Sequence, residues 1–253
     1  MLGIDLRGKR AVVTGGSRGI GRSVAILLAR AGADVGISYY NRDDTAAAVL
    51  KELRACDVRA FAERGDLADE RAADQLIERA VTEFGGLDIF IANAGIWPPE
   101  YHAIESMPAE HWRRTMAVNL DSVFFTTRAA ARRISEGGRI VLISSTAGQR
   151  GEAGHVDYAA SKGAMIAMVK GLCIELAPRQ VTVNSVAPGW VDTEMAAAPY
   201  AGEGRTRIEA GIPIGRVASA DDIAGPVVFL CSDFARHITG EILNVNGGSV
   251  LCG

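Results

Sequence analysis

Apolar residues recur along this chain in two alternating rhythms. Short, nearly continuous runs of aliphatic and β-branched residues fall at Arg10–Thr14, Asp34–Tyr40, Val58–Gly65, Leu87–Ala92, Arg139–Ser145, Val181–Ala187 and Ile242–Val245. Between them, apolar positions return every three to four residues over Ile20–Ala31, Asp43–Cys56, Glu70–Phe84, Ala109–Ile134, His155–Ala177 and Ala220–Cys231. The first rhythm predicts strands buried on both faces, and the second predicts the helices that cover them. Strand and helix in alternation give an α/β class with a doubly wound, parallel, seven-stranded sheet and helices on both faces. No Pro/Ser/Gly-rich linker and no repeat interrupts the pattern, so residues 1–253 read as a single domain. One stretch breaks the rhythm. From Gly189 to Gly215 the helical pattern is weak, with Pro199, Gly202, Gly204, Gly211 and Pro213 in it. A long insertion after the sixth strand, at the end where open parallel sheets bind ligands, is expected to be a substrate lid over 190–215.

Composition narrows the function classes. Hydrophobic residues make up 48% and charged residues 23%, as in ordinary soluble domains. A formal net charge of −3 gives no general attraction to nucleic acid or to an anionic membrane. No apolar run reaches the ~18–20 residues of a membrane span, and the charged start argues against a secretory signal, so a cytoplasmic protein is expected. Cys56, Cys173, Cys231 and Cys252 are scattered and read as reduced thiols; His102, His111, His155 and His237 lack ligand spacing, and no metal is expected.

Candidate chemistry starts after the first strand. Thr14-Gly-Gly-Ser-Arg-Gly-Ile-Gly21 opens into a helix, with Gly15, Gly19 and Gly21 spaced G-x-x-x-G-x-G. Glycines there let the backbone, with Ile20 in the same turn, approach a pyrophosphate at the helix N-terminus, as in Rossmann-type dinucleotide folds. The second strand ends Ile37-Ser-Tyr-Tyr-Asn-Arg42, with Tyr39 where an NAD enzyme usually carries an acid. Arg18 and Arg42 are expected to fork around a 2′-phosphate, with Ser17 and Asn41 adding hydrogen bonds, so NADP(H) is favoured over NAD(H). Asp43 and Asp44 stand against this, though acids suit a helix start.

A second constellation lies near the middle. Tyr158 and Lys162 are one helical turn apart, and Ser145 precedes the tyrosine by thirteen residues, at the end of the fifth strand. A phenol beside a cation, with a hydroxyl nearby, can exchange a proton with a carbonyl oxygen. Lowering a phenol from ~10 to ~7 needs about 4 kcal/mol. An ammonium ~5 Å away at an effective dielectric of ~20 supplies roughly 3 kcal/mol. Lys162 is therefore expected to acidify Tyr158.

Over nearly its whole length the chain resembles the short-chain dehydrogenase/reductase family. The resemblance rests on Thr14-Gly-x-x-x-Gly-Ile-Gly21, Asn93-Ala-Gly95, Asn119, Ser145, Tyr158-x-x-x-Lys162 and Pro188-Gly-x-Val-x-Thr193, with Ala92 a departure where many members carry asparagine. It implies hydride transfer between a carbonyl and a secondary alcohol, Tyr158 as acid/base, and a small-molecule substrate. It implies that Asp66, with Leu67 beside it, meets the adenine, that Asn93, Ala94 and Gly95 line the ribose, and that Pro188, Gly189, Val191 and Thr193 hold the carboxamide. It implies that Lys162 holds the nicotinamide ribose and that Asn119 binds a water relaying protons to it. The substrate pocket is expected at Ile96, Trp97, Gln149, His155, Trp190 and Met195. The C-terminal third looks like 3-oxoacyl-acyl-carrier-protein reductases and equally like sugar and ketone reductases. Carrier-protein reductases tend to be basic where this chain has Glu136 and Ile174, while Arg132 and Arg133 remain nearby, so a carrier-bound acyl thioester stays an alternative substrate. A non-catalytic NADP sensor is the alternative of another class. Small residues at Ala160, Gly163, Ala164, Ala167 and Gly171, along the helix that bears Tyr158, fit the family's homotetramer.

Overall fold

A computed structural model describes residues 3–251; Cys252 lies outside them. Seven parallel strands form one sheet: β1 Arg10–Val13, β2 Asp34–Tyr39, β3 Ala60–Arg64, β4 Leu87–Ala92, β5 Ile134–Ile143, β6 Thr182–Pro188 and β7 Ile242–Val245. Their order is β3-β2-β1-β4-β5-β6-β7. The helices are α1 Gly19–Arg30, α2 Asp43–Arg54, α3 Glu70–Phe84, α4 Ala109–Met116, α5 Ser122–Arg133, α6 Thr146–Arg150, α7 Val156–Leu176, α8 Gly204–Ala210 and α9 Ala220–Cys231.

The period of two along each strand divides the interior. In β1, Ala11 and Val13 point into one core with Val24, Leu28, Ile223 and Val227 of α1 and α9. Val12 points into the other, with Leu76 and Ile77 of α3, Val123 of α5 and Met165 and Val169 of α7. Both faces are dry, which is why the strands read as unbroken apolar runs. Because β1 lies between β2 and β4, the chain leaves in opposite directions on its two sides. Such a reversal opens a crevice beyond the strand ends.

Three expected elements differ from those observed. The single helix over Ala109–Ile134 is interrupted by a π-helical turn at Ala117–Asp121, between α4 and α5. Asn119 sits in that turn. Its Oδ1 accepts from Ile96 N at 2.7 Å, and its Nδ2 donates to Ile96 O at 2.8 Å. The widened turn is where a fully buried amide reaches a neighbouring loop, a recurrent use of such turns. The fifth strand starts earlier than expected, at Ile134, because Ile134 pairs with Leu87 across an irregularity in register. It ends at Ile143, so Ser145 is not on the strand but caps the unforeseen α6. The expected lid carries α8 and a 3-10 turn at Glu194–Ala196. Within it the Tyr200 hydroxyl donates to Val191 O at 3.0 Å and Arg205 pairs with Asp192 at 2.9 Å, while its ends are held by Ala218 N donating to Trp190 O at 3.0 Å and Ile214 N donating to Gly247 O at 3.1 Å.

Candidate active site

The loops after β1 to β6 converge on one cavity of about 750 Å³. Thr14 joins those after β1 and β4: its Oγ1 accepts from Asn93 N and Ala94 N, both at 2.9 Å. Asn93 donates its amide to Thr14 O at 2.9 Å and Gly15 O at 3.3 Å. Its side chain therefore clamps the glycine loop, while Ala94 and Gly95 line the cavity beside it. Gly15 and Gly19 adopt φ of +63° and +52°, a region costly for other residues. A Cβ on Gly21 would lie 2.3 Å from Gly15 O and 2.4 Å from Asn93 Nδ2. Helix α1 starts at the floor of the cavity with no side chain capping its first N–H groups. Tight glycines and free helix N–H groups match a pyrophosphate, so the loop fits a dinucleotide.

The remaining expected cofactor residues fall on the same cavity. Ser17, Arg18, Gly19, Ile20, Gly21, Asn41 and Arg42 line it on one side, Asp66 and Leu67 beside them, and Pro188, Gly189, Val191 and Thr193 on another. Asp66 does not cap α3, a task taken by Asp69; its Oδ1 accepts instead from Ala68 N at 3.0 Å. Asp43 turns away from the cavity. It accepts from the Tyr39 hydroxyl at 2.9 Å and lies 3.5 Å from Arg64, and neither Asp43 nor Asp44 lines the cavity. Arg18 and Arg42 both contact Glu194, at 2.9 and 3.2 Å.

Ser145, Tyr158 and Lys162 are brought together by a close crossing of α6 and α7. A Cβ on Gly148 would meet the Lys162 carbonyl carbon at 2.5 Å and Gly163 N at 2.7 Å, so only glycine lets the two backbones touch. Ser145 Oγ accepts from Ala147 N at 3.1 Å and hydrogen-bonds the Tyr158 phenol. Lys162 is buried, lies 5.8 Å from the Tyr158 ring centre and donates to Ile143 O at 2.8 Å. Asn119 spends its amide on Ile96 and on Ser161 Oγ, the latter at 3.3 Å.

The electrostatics depart from the expected acidification. Burial pushes the Tyr158 phenol up to about 12, partly opposed by the Ser145 hydrogen bond and reinforced by Glu152. Burial also pulls Lys162 down to about 8. The sequence argument put a full charge in a medium of moderate dielectric. In the folded chain, desolvation weighs on both groups and drives each toward neutrality.

Of the expected substrate residues, Trp97 and Trp190 line the cavity with Ile96 and Met195, whereas Gln149 and His155 do not. Gln149 turns its amide to Asn244 at 2.6 Å. His155 is buried behind Trp97, ring centres 4.6 Å apart. Glu152, Arg150, Arg114 and Glu194 also line the cavity and were not foreseen. Glu194 directly follows the Pro188–Thr193 motif, its one sequence clue; the other three carry none. Among the described residues, no group of three or more His, Cys, Asp or Glu side chains could hold a metal ion. No helix among them is long and apolar enough to cross a membrane.

Comparison with known proteins agrees with this geometry. The family model described as enoyl-(acyl carrier protein) reductase matches residues 15–249. The chain belongs to the short-chain dehydrogenase/reductase family. It is 39% identical to an L-rhamnose 1-dehydrogenase (NAD(P)(+)) of Sphingomonas sp., over 96% of each chain. It is 37% identical to a 3-oxoacyl-acyl-carrier-protein reductase of Staphylococcus aureus, over 95% of this chain and 97% of that one. A short-chain dehydrogenase from Burkholderia cenocepacia, solved with NADP, superposes with a TM-score of 0.91 at 40% identity, covering 96% and 98% of the two chains. The enzyme is an oxidoreductase acting on the CH–OH group and its carbonyl counterpart.

Proposed function

We propose that the enzyme interconverts a ketone and a secondary alcohol with NADP(H), and that Tyr158 is its acid/base. The observation that carries this reading is the convergence of Ser145, Tyr158 and Lys162 on the cavity that also holds the glycine loop with Arg18 and Arg42. When bound, the nicotinamide supplies or receives the hydride. In reduction, Tyr158 gives its proton to the carbonyl oxygen as negative charge develops there. A phenol held near 12 keeps that proton at every working pH, so it is always armed as a donor. Ser145 carries a single hydroxyl proton, which it donates to the same oxygen as charge develops there, and it can turn that proton to the phenolate once the oxygen is protonated. Protonated Lys162, 5.8 Å from the ring centre, adds positive charge beside the phenol and would hold the ribose of the bound cofactor. In oxidation the phenol must first lose its proton, and burial opposes that step.

Arg18 and Arg42 favour a cofactor that carries a 2′-phosphate, with Ser17 and Asn41 beside them. Trp97, Trp190, Ile96 and Met195 favour a carbonyl of small or medium size with an apolar flank. A free substrate is preferred to a carrier-bound thioester: Glu136 is exposed near the start of β5, Ile174 is exposed on α7, and Arg133 is already paired with Glu78 at 2.7 Å. The segment over 190–215 acts as the lid. Exposed Phe124 and Ile174, with the small residues of α7, make the surface of a homotetramer. Free Cys56, Cys173 and Cys231 suit the reducing cytoplasm.

The test is absorbance at the reduced-nicotinamide band, with NADPH, a panel of sugars and ketones, and acetoacetyl thioesters. Oxidation of NADPH by free carbonyls is expected; a flat trace across the panel would instead support a cofactor sensor.

A further inference from the structure

Arg18, on the glycine loop, and Arg42, after β2, grip the same oxygen of Glu194, at 2.9 and 3.2 Å. All three side chains line the cofactor cavity and all are about half exposed. Among the described residues, Glu194 is the only carboxylate in ion-pair contact with either arginine. An anion supplied by the chain itself thus sits at the focus of the guanidinium fork. Resting on the reading that this fork receives a 2′-phosphate, we propose that Glu194 is a specificity-determining residue, an internal stand-in that the phosphate must displace.

The physical argument is a competition for two cations. A phosphate monoester brings more charge and more acceptor oxygens than a carboxylate, so it wins the arginines. It does so at a discount, because Glu194 must first give up both contacts and its own charge then lies beside the incoming phosphate. A dinucleotide with a plain ribose asks nothing of the fork and leaves Glu194 in position. Glu194 therefore narrows the gap between the two cofactors, weakening the phosphorylated one and leaving the other untouched. Since all three groups are half solvated, the effect is a few-fold in affinity.

The experiment measures dissociation constants of NADPH and NADH by calorimetry, for the wild type, Glu194→Gln, Arg18→Ala, the two combined, and the exposed control Glu105→Gln. Glu194→Gln is expected to tighten NADPH about three- to tenfold, and to leave NADH within about twofold. The gain should vanish in the Arg18→Ala background, and Glu105→Gln should change neither constant. An NADPH constant unchanged or weakened in Glu194→Gln would overturn the stand-in role alone, as would equal tightening of both cofactors. A wild type that binds NADPH no tighter than NADH, with Arg18→Ala affecting both alike, would overturn the phosphate reading and this inference with it.

Discussion

Tyr158 and Lys162 are driven by the same burial in opposite directions, the phenol up to about 12 and the amine down to about 8. The amine is therefore the group that titrates near working pH. Its folded value lies below the ordinary 10.5, so it is charged below about pH 8 and neutral above it. If the ammonium is needed, kcat/KM for the reduced cofactor should be level below about pH 8 and fall about tenfold per unit above it. A profile level to pH 10 would remove Lys162 as the required charge. Linkage has the same origin: between about 8 and 10.5 the unfolded chain binds the proton that the folded chain has released, so this group's contribution to stability rises with pH. The pairing of Tyr158 with Lys162 was legible because it is local, one turn of a helix. The size of the burial was not, since it comes from α6 crossing α7 at Gly148. Glu194 was still less legible. It reaches Arg42 and Arg18 from 152 and 176 residues away, a contact that only the sheet order creates.

At the scale of elements, the crevice depends on two devices that close the backbone tightly. One is the β1–α1 turn. Gly21→Ala would drive a methyl to within 2.3 Å of Gly15 O and 2.4 Å of the Asn93 amide. It is expected to cost about 1–3 kcal/mol in denaturant unfolding and to abolish cofactor binding measured by calorimetry. Native-like binding would mean that the loop is looser than described. The other is the π turn, where Asn119 holds both the N–H and the C=O of Ile96. Asn119→Ala would leave these backbone groups unpaired beside the cavity. A loss of about 2–4 kcal/mol in the same assay is expected, and a loss under about 0.5 kcal/mol would show that the clamp is dispensable. The glycine turn could be read directly, because glycine spacing reports backbone geometry. The π turn could not: the apolar rhythm runs through Ala117–Asp121 without a break, and only a buried amide with a distant partner marks it. The short α6 was equally hidden, since Thr146–Arg150 is too brief to set up a period.

For the molecule as a whole, the order β3-β2-β1-β4-β5-β6-β7 brings the loops after β1 to β6 to one end, and α5 and α7 each carry an exposed large apolar residue. Ile174 is 75% and Phe124 47% exposed there, with Ala160, Ala167 and Gly171 open beside Ile174 on α7. Light scattering is expected to give a tetramer for the wild type and a smaller species for Ile174→Glu; a wild-type monomer at micromolar concentration would contradict the assembly. Strand count, parallel sense and two-sided burial were legible at this scale, because continuous apolar runs alternating with amphipathic helices admit few other arrangements. Which polar side chains face the cavity was less so: Trp97 and Trp190 do, but Gln149 pairs with Asn244 and His155 backs Trp97. The most direct trial of the account is Tyr158→Phe, with ketone-dependent oxidation of NADPH and the NADPH dissociation constant measured on the same preparation. Turnover should fall by about 10³ while the dissociation constant stays within about threefold; turnover kept within about tenfold of wild type would contradict the proton-donor role.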